Sequence, residues 1–205
     1  MPDNSEFEID NLPNRLTILR MVLIPIVLAL VYFSSYAAES KSLSEKSAWL
    51  GALIFILASF TDFLDGHIAR KKNITTVFGS FLDPIADKFL TVSVLIMLLA
   101  VHRLPVAIVI ILVLREMYMT SLRLLGTNQG INIPVQSLGK WKTAVTMMGI
   151  PFLMVPKKVS TVPMHLIGTI LIYTACILSL WSAVTYSLEV IRKLKQRRQE
   201  KKERK

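Results

Sequence analysis

The chain has 205 residues, 53% of them hydrophobic, with a mean hydropathy of +0.52 and a formal net charge of +10. That apolar content excludes an ordinary soluble domain, and the length allows one domain. A single cysteine, Cys176, set in an apolar run, excludes both a disulfide framework and a cysteine-rich metal site.

Residues 1–10 form a polar, acidic tail expected to fray. The stretch Asn11-Leu12-Pro13-Asn14-Arg15-Leu16-Thr17-Ile18-Leu19-Arg20 leads into a first apolar run at about 16–37. Pro13 sits where a helix begins, and Arg15 and Arg20 are expected to anchor it at the interface. Ala37 and Ala38 follow the run as they would a signal peptide, but the acidic N-terminus argues against one. Residues 38–47 are expected to be a short polar loop with Lys41 and Lys46. A second run covers about 48–70, ends in the basic turn Arg70-Lys71-Lys72-Asn73, and is followed by a third at about 79–101. After His102-Arg103-Leu104-Pro105 a fourth run is purely apolar through residue 114, changes character at Arg115-Glu116 and reaches Arg123. A connection over 124–139 holds Gly126, Gly130, Pro134 and Gly139. Lys140-Trp141-Lys142-Thr143 then precedes a fifth run to about 156, and a sixth spans about 163–188.

Several of these runs approach the ~20 residues that cross a bilayer. The expected fold is an all-α integral membrane protein of about six transmembrane helices with a polar cavity open to the cytoplasm. Its parts are the N-terminal tail 1–10, a membrane domain 11–190 and a basic tail 191–205. The last fourteen residues carry nine Lys or Arg. Beside a membrane helix this reads as a cytoplasmic, lipid-facing tail and not as a nucleic-acid arm. Orientation follows from the other cations. With both termini and the 70–78 turn on one side, that side holds Arg15, Arg20, Arg70, Lys71, Lys72, Arg115, Arg123, Lys140, Lys142 and the tail, against Lys41, Lys46, Arg103, Lys157 and Lys158. Both ends are therefore expected in the cytoplasm.

The chemistry concentrates in one stretch. Asp62-Phe63-Leu64-Asp65-Gly66-His67-Ile68-Ala69-Arg70 is followed, after eight residues, by Gly79-Ser80-Phe81-Leu82-Asp83-Pro84-Ile85-Ala86-Asp87. Acids in a membrane segment default to a functional reading. On a helix turning ~100° per residue, Asp62, Asp65, Gly66, Ala69 and Arg70 share an arc of roughly 140°. Gly79, Asp83 and Asp87, spaced by four, share a face of the next helix. Four oxygen donors with no cysteine and only a peripheral His67 suit Mg²⁺ or Mn²⁺ better than zinc. Simple pairing of the acids with Arg70, Lys71, Lys72 and Lys88 explains neither the glycines nor the spacing. A cation transporter or channel would spread its acids through the membrane depth, whereas here they cluster at one side.

This pattern resembles the signature of the CDP-alcohol phosphatidyltransferases, with all eight specified positions met. The resemblance implies displacement of CMP from a CDP-activated lipid by an alcohol, with two divalent ions. It makes Asp62, Asp65 and Asp83 metal ligands and Asp87 the general base or a shared ligand. Gly66, Ala69 and Gly79 would let the CDP-lipid approach the backbone, and Arg70 would pair with its diphosphate beside Asp62. The opening at Asn11, the Arg115-Glu116…Leu122-Arg123 piece and Gly139-Lys140-Trp141-Lys142-Thr143 further resemble the bacterial phosphatidylglycerophosphate synthases of that family. The implied substrates are CDP-diacylglycerol and glycerol 3-phosphate, with Arg115, Arg123 and Lys140 on the acceptor's phosphate; Lys142 alone reads as ordinary anchoring. Also implied are a homodimer, a bacterial plasma membrane among lipids, a cytoplasm-facing site and no nucleic-acid partner. Transfer to phosphatidylglycerol, giving cardiolipin, is the nearest alternative, ahead of phosphatidylserine and phosphatidylinositol-phosphate synthesis.

Overall fold

The computed structural model describes the backbone of residues 12–37, 40–72, 77–128, 137–156 and 161–203, and the side chains from Ile18 onward except those of 37–39, 62–87, 127–136, 157–160, 198 and 200–205. Every regular element among the described residues is a helix. They are α1 (Leu12–Tyr32), closed by a π-helical turn (Phe33–Ala37), α2 (Lys41–Lys72), α3 (Val77–Ala100), α4 (Val106–Asn128), α5 (Ser137–Met154) and α6 (Met164–Glu203). Three stretches among them are long and apolar enough to cross a bilayer: Ile18–Tyr36, Lys41–Thr61 and Met164–Arg197. Many of their hydroxyls return to carbonyls one turn back, as Ser47 Oγ does to Leu43 O at 2.9 Å and Thr61 Oγ1 to Leu57 O at 2.6 Å. Such hydroxyls are already satisfied and cost little in an apolar setting.

The helices group into two compact units, one of Met1–Leu104 with Met147–Thr169, the other of Pro105–Thr146 with Ile170–Lys205. In the first, α1 packs along α2 and α3, and Val27, Val31, Phe55, Leu90, Val94 and Leu98 are fully buried. Helices approach closely where a side chain is missing. A Cβ on Gly168 would stand 2.8 Å from Leu153 Cγ and 3.0 Å from the Leu153 nitrogen. Gly168→Ala should therefore destabilise the unit by ~1–3 kcal/mol through overpacking, offset in part by alanine's better helix propensity. Thermal unfolding of the purified protein in detergent measures this.

Arg103 ties the same unit together. Helix α3 ends with His102 at φ 57°, and the Arg103 amide reaches back to Leu98 O at 2.8 Å, which is a left-handed C-cap. The guanidinium then donates from Nη1 to Leu153 O at 2.7 Å and Met154 O at 2.5 Å, with Nη2 3.4 Å from Ser35 Oγ. A cation thus satisfies the last carbonyls of α5, where the helix dipole favours positive charge. Burial draws its pKa down from the usual value, yet an arginine stays protonated. Arg103→Leu leaves those carbonyls without the cation and should cost ~1.5–3 kcal/mol, visible in the same unfolding measurement.

In the second unit Met119 of α4 packs with Tyr186 and Val190 of α6, and Leu122, Ala183 and Leu194 close around them. Tyr118 Oη and Ser187 Oγ are 2.8 Å apart. Leu194 belongs to the stretch read as tail, so α6 carries its packing past residue 191 and remains helical to Glu203. Lys, Arg, Gln and Glu are good helix formers, and Glu189 pairs with Lys193 at 3.6 Å.

Other boundaries differ from those the hydropathy suggests. The expected loop at 38–47 is mostly helix, because Ser40 Oγ accepts the Leu43 amide at 3.2 Å and starts α2 at Lys41. The long connection shortens from both ends, α4 running to Asn128 and α5 starting at Ser137. Arg20, expected as an interfacial anchor, is packed inside the protein at 3% exposed. Arg15 lies outside the described side chains.

Candidate active site

Helix α2 runs unbroken through Asp62, Asp65, Gly66, Ala69 and Arg70 to Lys72. Helix α3 starts at Val77 and takes Gly79, Asp83 and Asp87 into its first three turns. All eight signature positions therefore lie on helices, and the spacings of three and four place each set along one strip of its helix. The side chains of residues 62–87, including His67, lie outside the described residues. Among the described side chains no group of three or more His, Cys, Asp or Glu gathers. The donor set of the signature is four carboxylates without thiol, which fits hard divalent cations.

The second constellation is described in full, and its members separate. Arg115, on α4, is 9% exposed. Its Nε donates to Ser179 O at 3.2 Å, its Nη1 to Glu116 Oε1 at 3.0 Å and its Nη2 to Ser182 Oγ. Lys142, on α5, is 6% exposed, and its Nζ donates to the same Glu116 Oε1. Thr146 Oγ1 fixes the turn by donating to Lys142 O at 2.9 Å. Arg123 and Lys140 are exposed. Eight residues separate Arg115 from Arg123, ~12 Å along the axis, so the two guanidiniums do not converge within α4 alone. Glu116 and Arg123, seven apart, lie within ~20° of each other around the helix.

Glu116 entered the sequence reading only within the Arg115-Glu116…Leu122-Arg123 piece, Ser179 and Ser182 escaped it, and Lys142 passed for an anchor. A signal for the first was present: Glu116 is the sole acid between Asp87 and Glu189. Two serines in an apolar run carry no such signal, because their partner is fixed only by how α6 meets α4.

The profile of the family described as CDP-alcohol phosphatidyltransferase matches residues 10–181, which includes the whole signature and the Arg115–Lys142 region. The chain belongs to the CDP-alcohol phosphatidyltransferase family. A protein of Rickettsia bellii named CDP-diacylglycerol–glycerol-3-phosphate 3-phosphatidyltransferase is 38% identical over 178 residues, covering 86% of this chain and 93% of that one. Its namesake in Bacillus subtilis is 37% identical over 181 residues, covering 87% and 90%. An Arabidopsis thaliana protein with that name and the number 2 is 32% identical over 207 residues, covering 94% and 85%. The likeness inferred from the signature is thus a family membership. In this phosphatidyltransferase family member the acids stand on two successive helices, and the buried Arg115–Glu116–Lys142 group stands in a separate unit.

Proposed function

We propose that the chain transfers the phosphatidyl group of CDP-diacylglycerol to glycerol 3-phosphate, giving phosphatidylglycerol phosphate and CMP in phospholipid synthesis. The complete signature on α2 and α3, in a chain of this family, carries the reading; the names of its relatives support the choice of acceptor. Asp62, Asp65, Asp83 and Asp87 would hold two divalent ions, Mg²⁺ or Mn²⁺. Such ions, when bound, neutralise the diphosphate of the donor. Gly66, Ala69 and Gly79 leave room for the nucleotide at the helix backbone, and Arg70 pairs with the diphosphate. Asp87 takes the proton of the acceptor hydroxyl. The hydroxyl oxygen bonds to the phosphorus that carries diacylglycerol, and the bond from that phosphorus to the CMP oxygen breaks in line. Arg115, Arg123 and Lys140 bind the acceptor's own phosphate.

The same proposal sets six spans, both termini in the cytoplasm, a cytoplasmic site in a bacterial plasma membrane, and a homodimer. The asymmetry of the basic residues supports the orientation. Ser42 and Gln199 are both exposed. In a Cys176→Ser background, Ser42→Cys should react with an impermeant thiol reagent in intact cells, and Gln199→Cys only after lysis. The opposite labelling would overturn the topology. CMP release by the purified protein should require both glycerol 3-phosphate and a divalent cation; release that needs neither would overturn the reaction.

A further inference from the structure

Two buried cations on one carboxylate form an unbalanced group. Glu116 Oε1 takes both Arg115 and Lys142, whose side chains are 9% and 8% exposed, while that of Glu116 is 24% exposed. The trio keeps a single net positive charge. Ser179 and Ser182, buried on α6, add neutral oxygens for Arg115, and among the described residues no second anion joins them. Glu116 is the sole acid in the hundred or so residues that supply α4, α5 and most of α6.

A device for holding helices together has no use for that excess. Buried ion pairs return little net stability, and apolar side chains of similar volume do as well. Uncompensated buried charge is costly. Glu116 is the most exposed member of the group, at 24%, and an anion drawn in beside it offsets that cost.

We infer that Glu116 is a positioning residue for acceptor binding: by gripping Arg115 and Lys142 at once, it holds two cations in place for the phosphate of the incoming alcohol and leaves them one net charge to offer. Lys142 thereby joins the acceptor site as a member and is no membrane anchor. The inference rests on the reading of Arg115, Arg123 and Lys140 as the acceptor site. It adds that the single acid among these cations raises acceptor affinity, opposite to what charge alone predicts for a carboxylate near a phosphate site. Without it, the buried Lys142 ammonium loses the carboxylate that holds it in place, and Arg115 loses one of its three supports.

The test is steady-state kinetics on the purified full-length protein with CDP-diacylglycerol and glycerol 3-phosphate each varied in turn. Glu116→Gln should raise the KM for glycerol 3-phosphate by at least about tenfold, the loss of roughly one charge-assisted hydrogen bond. It should leave the KM for CDP-diacylglycerol unchanged within twofold and lower kcat less than it raises the acceptor KM. Glu116→Asp, which keeps the charge one methylene shorter, should fall between wild type and Gln. Both KM values and the thermal midpoint moving together would show a structural role and overturn the inference. An unchanged acceptor KM in Glu116→Gln, or an Asp variant as impaired as Gln, would overturn it too. Arg123→Ala separates the two levels. If it raises the acceptor KM and Glu116→Gln does not, the inference fails alone; if neither does, the acceptor-site reading fails with it.

Discussion

Asp83→Ala should reduce turnover by at least about a thousandfold, because charge stabilisation worth several kcal/mol is lost and each ~1.4 kcal/mol is a factor of ten. Asp83 stands in the second turn of α3 at the centre of the Gly79, Asp83, Asp87 strip. With Asp62 and Asp65 on α2 it belongs to a set of four carboxylates, and such a set tolerates no apolar member. Hard cations take oxygen ligands almost exclusively, so alanine offers nothing in exchange. The effect should be on chemistry and not on folding. The variant should insert in the membrane and elute with the wild type on size exclusion, while binding of Mn²⁺ by the purified protein weakens. Wild-type activity in purified Asp83→Ala would remove the metal assignment. Loss of activity with Mn²⁺ binding unchanged would instead leave Asp83 a substrate-side role.

Arg123→Ala should raise the KM for glycerol 3-phosphate about tenfold to a hundredfold, the equivalent of losing one hydrogen bond to a charged group. The KM for CDP-diacylglycerol should barely move. Arg123 is exposed on α4, whereas Arg115 is buried, so removal of Arg123 should disturb stability less than removal of Arg115. Arg123→Lys should recover only part of the loss, because lysine keeps the charge but not the two-pronged geometry. Weakening of the donor alone would move the basic cluster to the CDP-lipid.

How much of this was legible in the sequence depends on the range of the interaction. The signature is local: eight residues whose helical spacing is enough to put them on strips, and α2 and α3 carry them on helix as expected. Helix starts set by one hydroxyl were harder. Ser40 caps α2 within a stretch whose polarity suggested a loop, and serine serves equally well in a turn. Arg20, Arg115 and Lys142 show a further limit. Arg20 and Lys142 read as anchoring cations and Arg115 as a ligand of the acceptor's phosphate, and each is buried. Arg115 and Lys142 are buried because Glu116, Ser179 and Ser182 supply acceptors from helices far apart in sequence. A hydropathy pattern records which residues avoid water, but not which partner lets a charge do so.

The central claim, that the acceptor is glycerol 3-phosphate, is tested most directly by the product. Purified protein in mixed micelles should be given CDP-diacylglycerol, a divalent cation, and glycerol 3-phosphate and phosphatidylglycerol together at equal concentration. Mass analysis of the lipid should find phosphatidylglycerol phosphate, formed in step with CMP. Cardiolipin as the main product, with glycerol 3-phosphate unconsumed, would contradict the account and leave only the family membership standing.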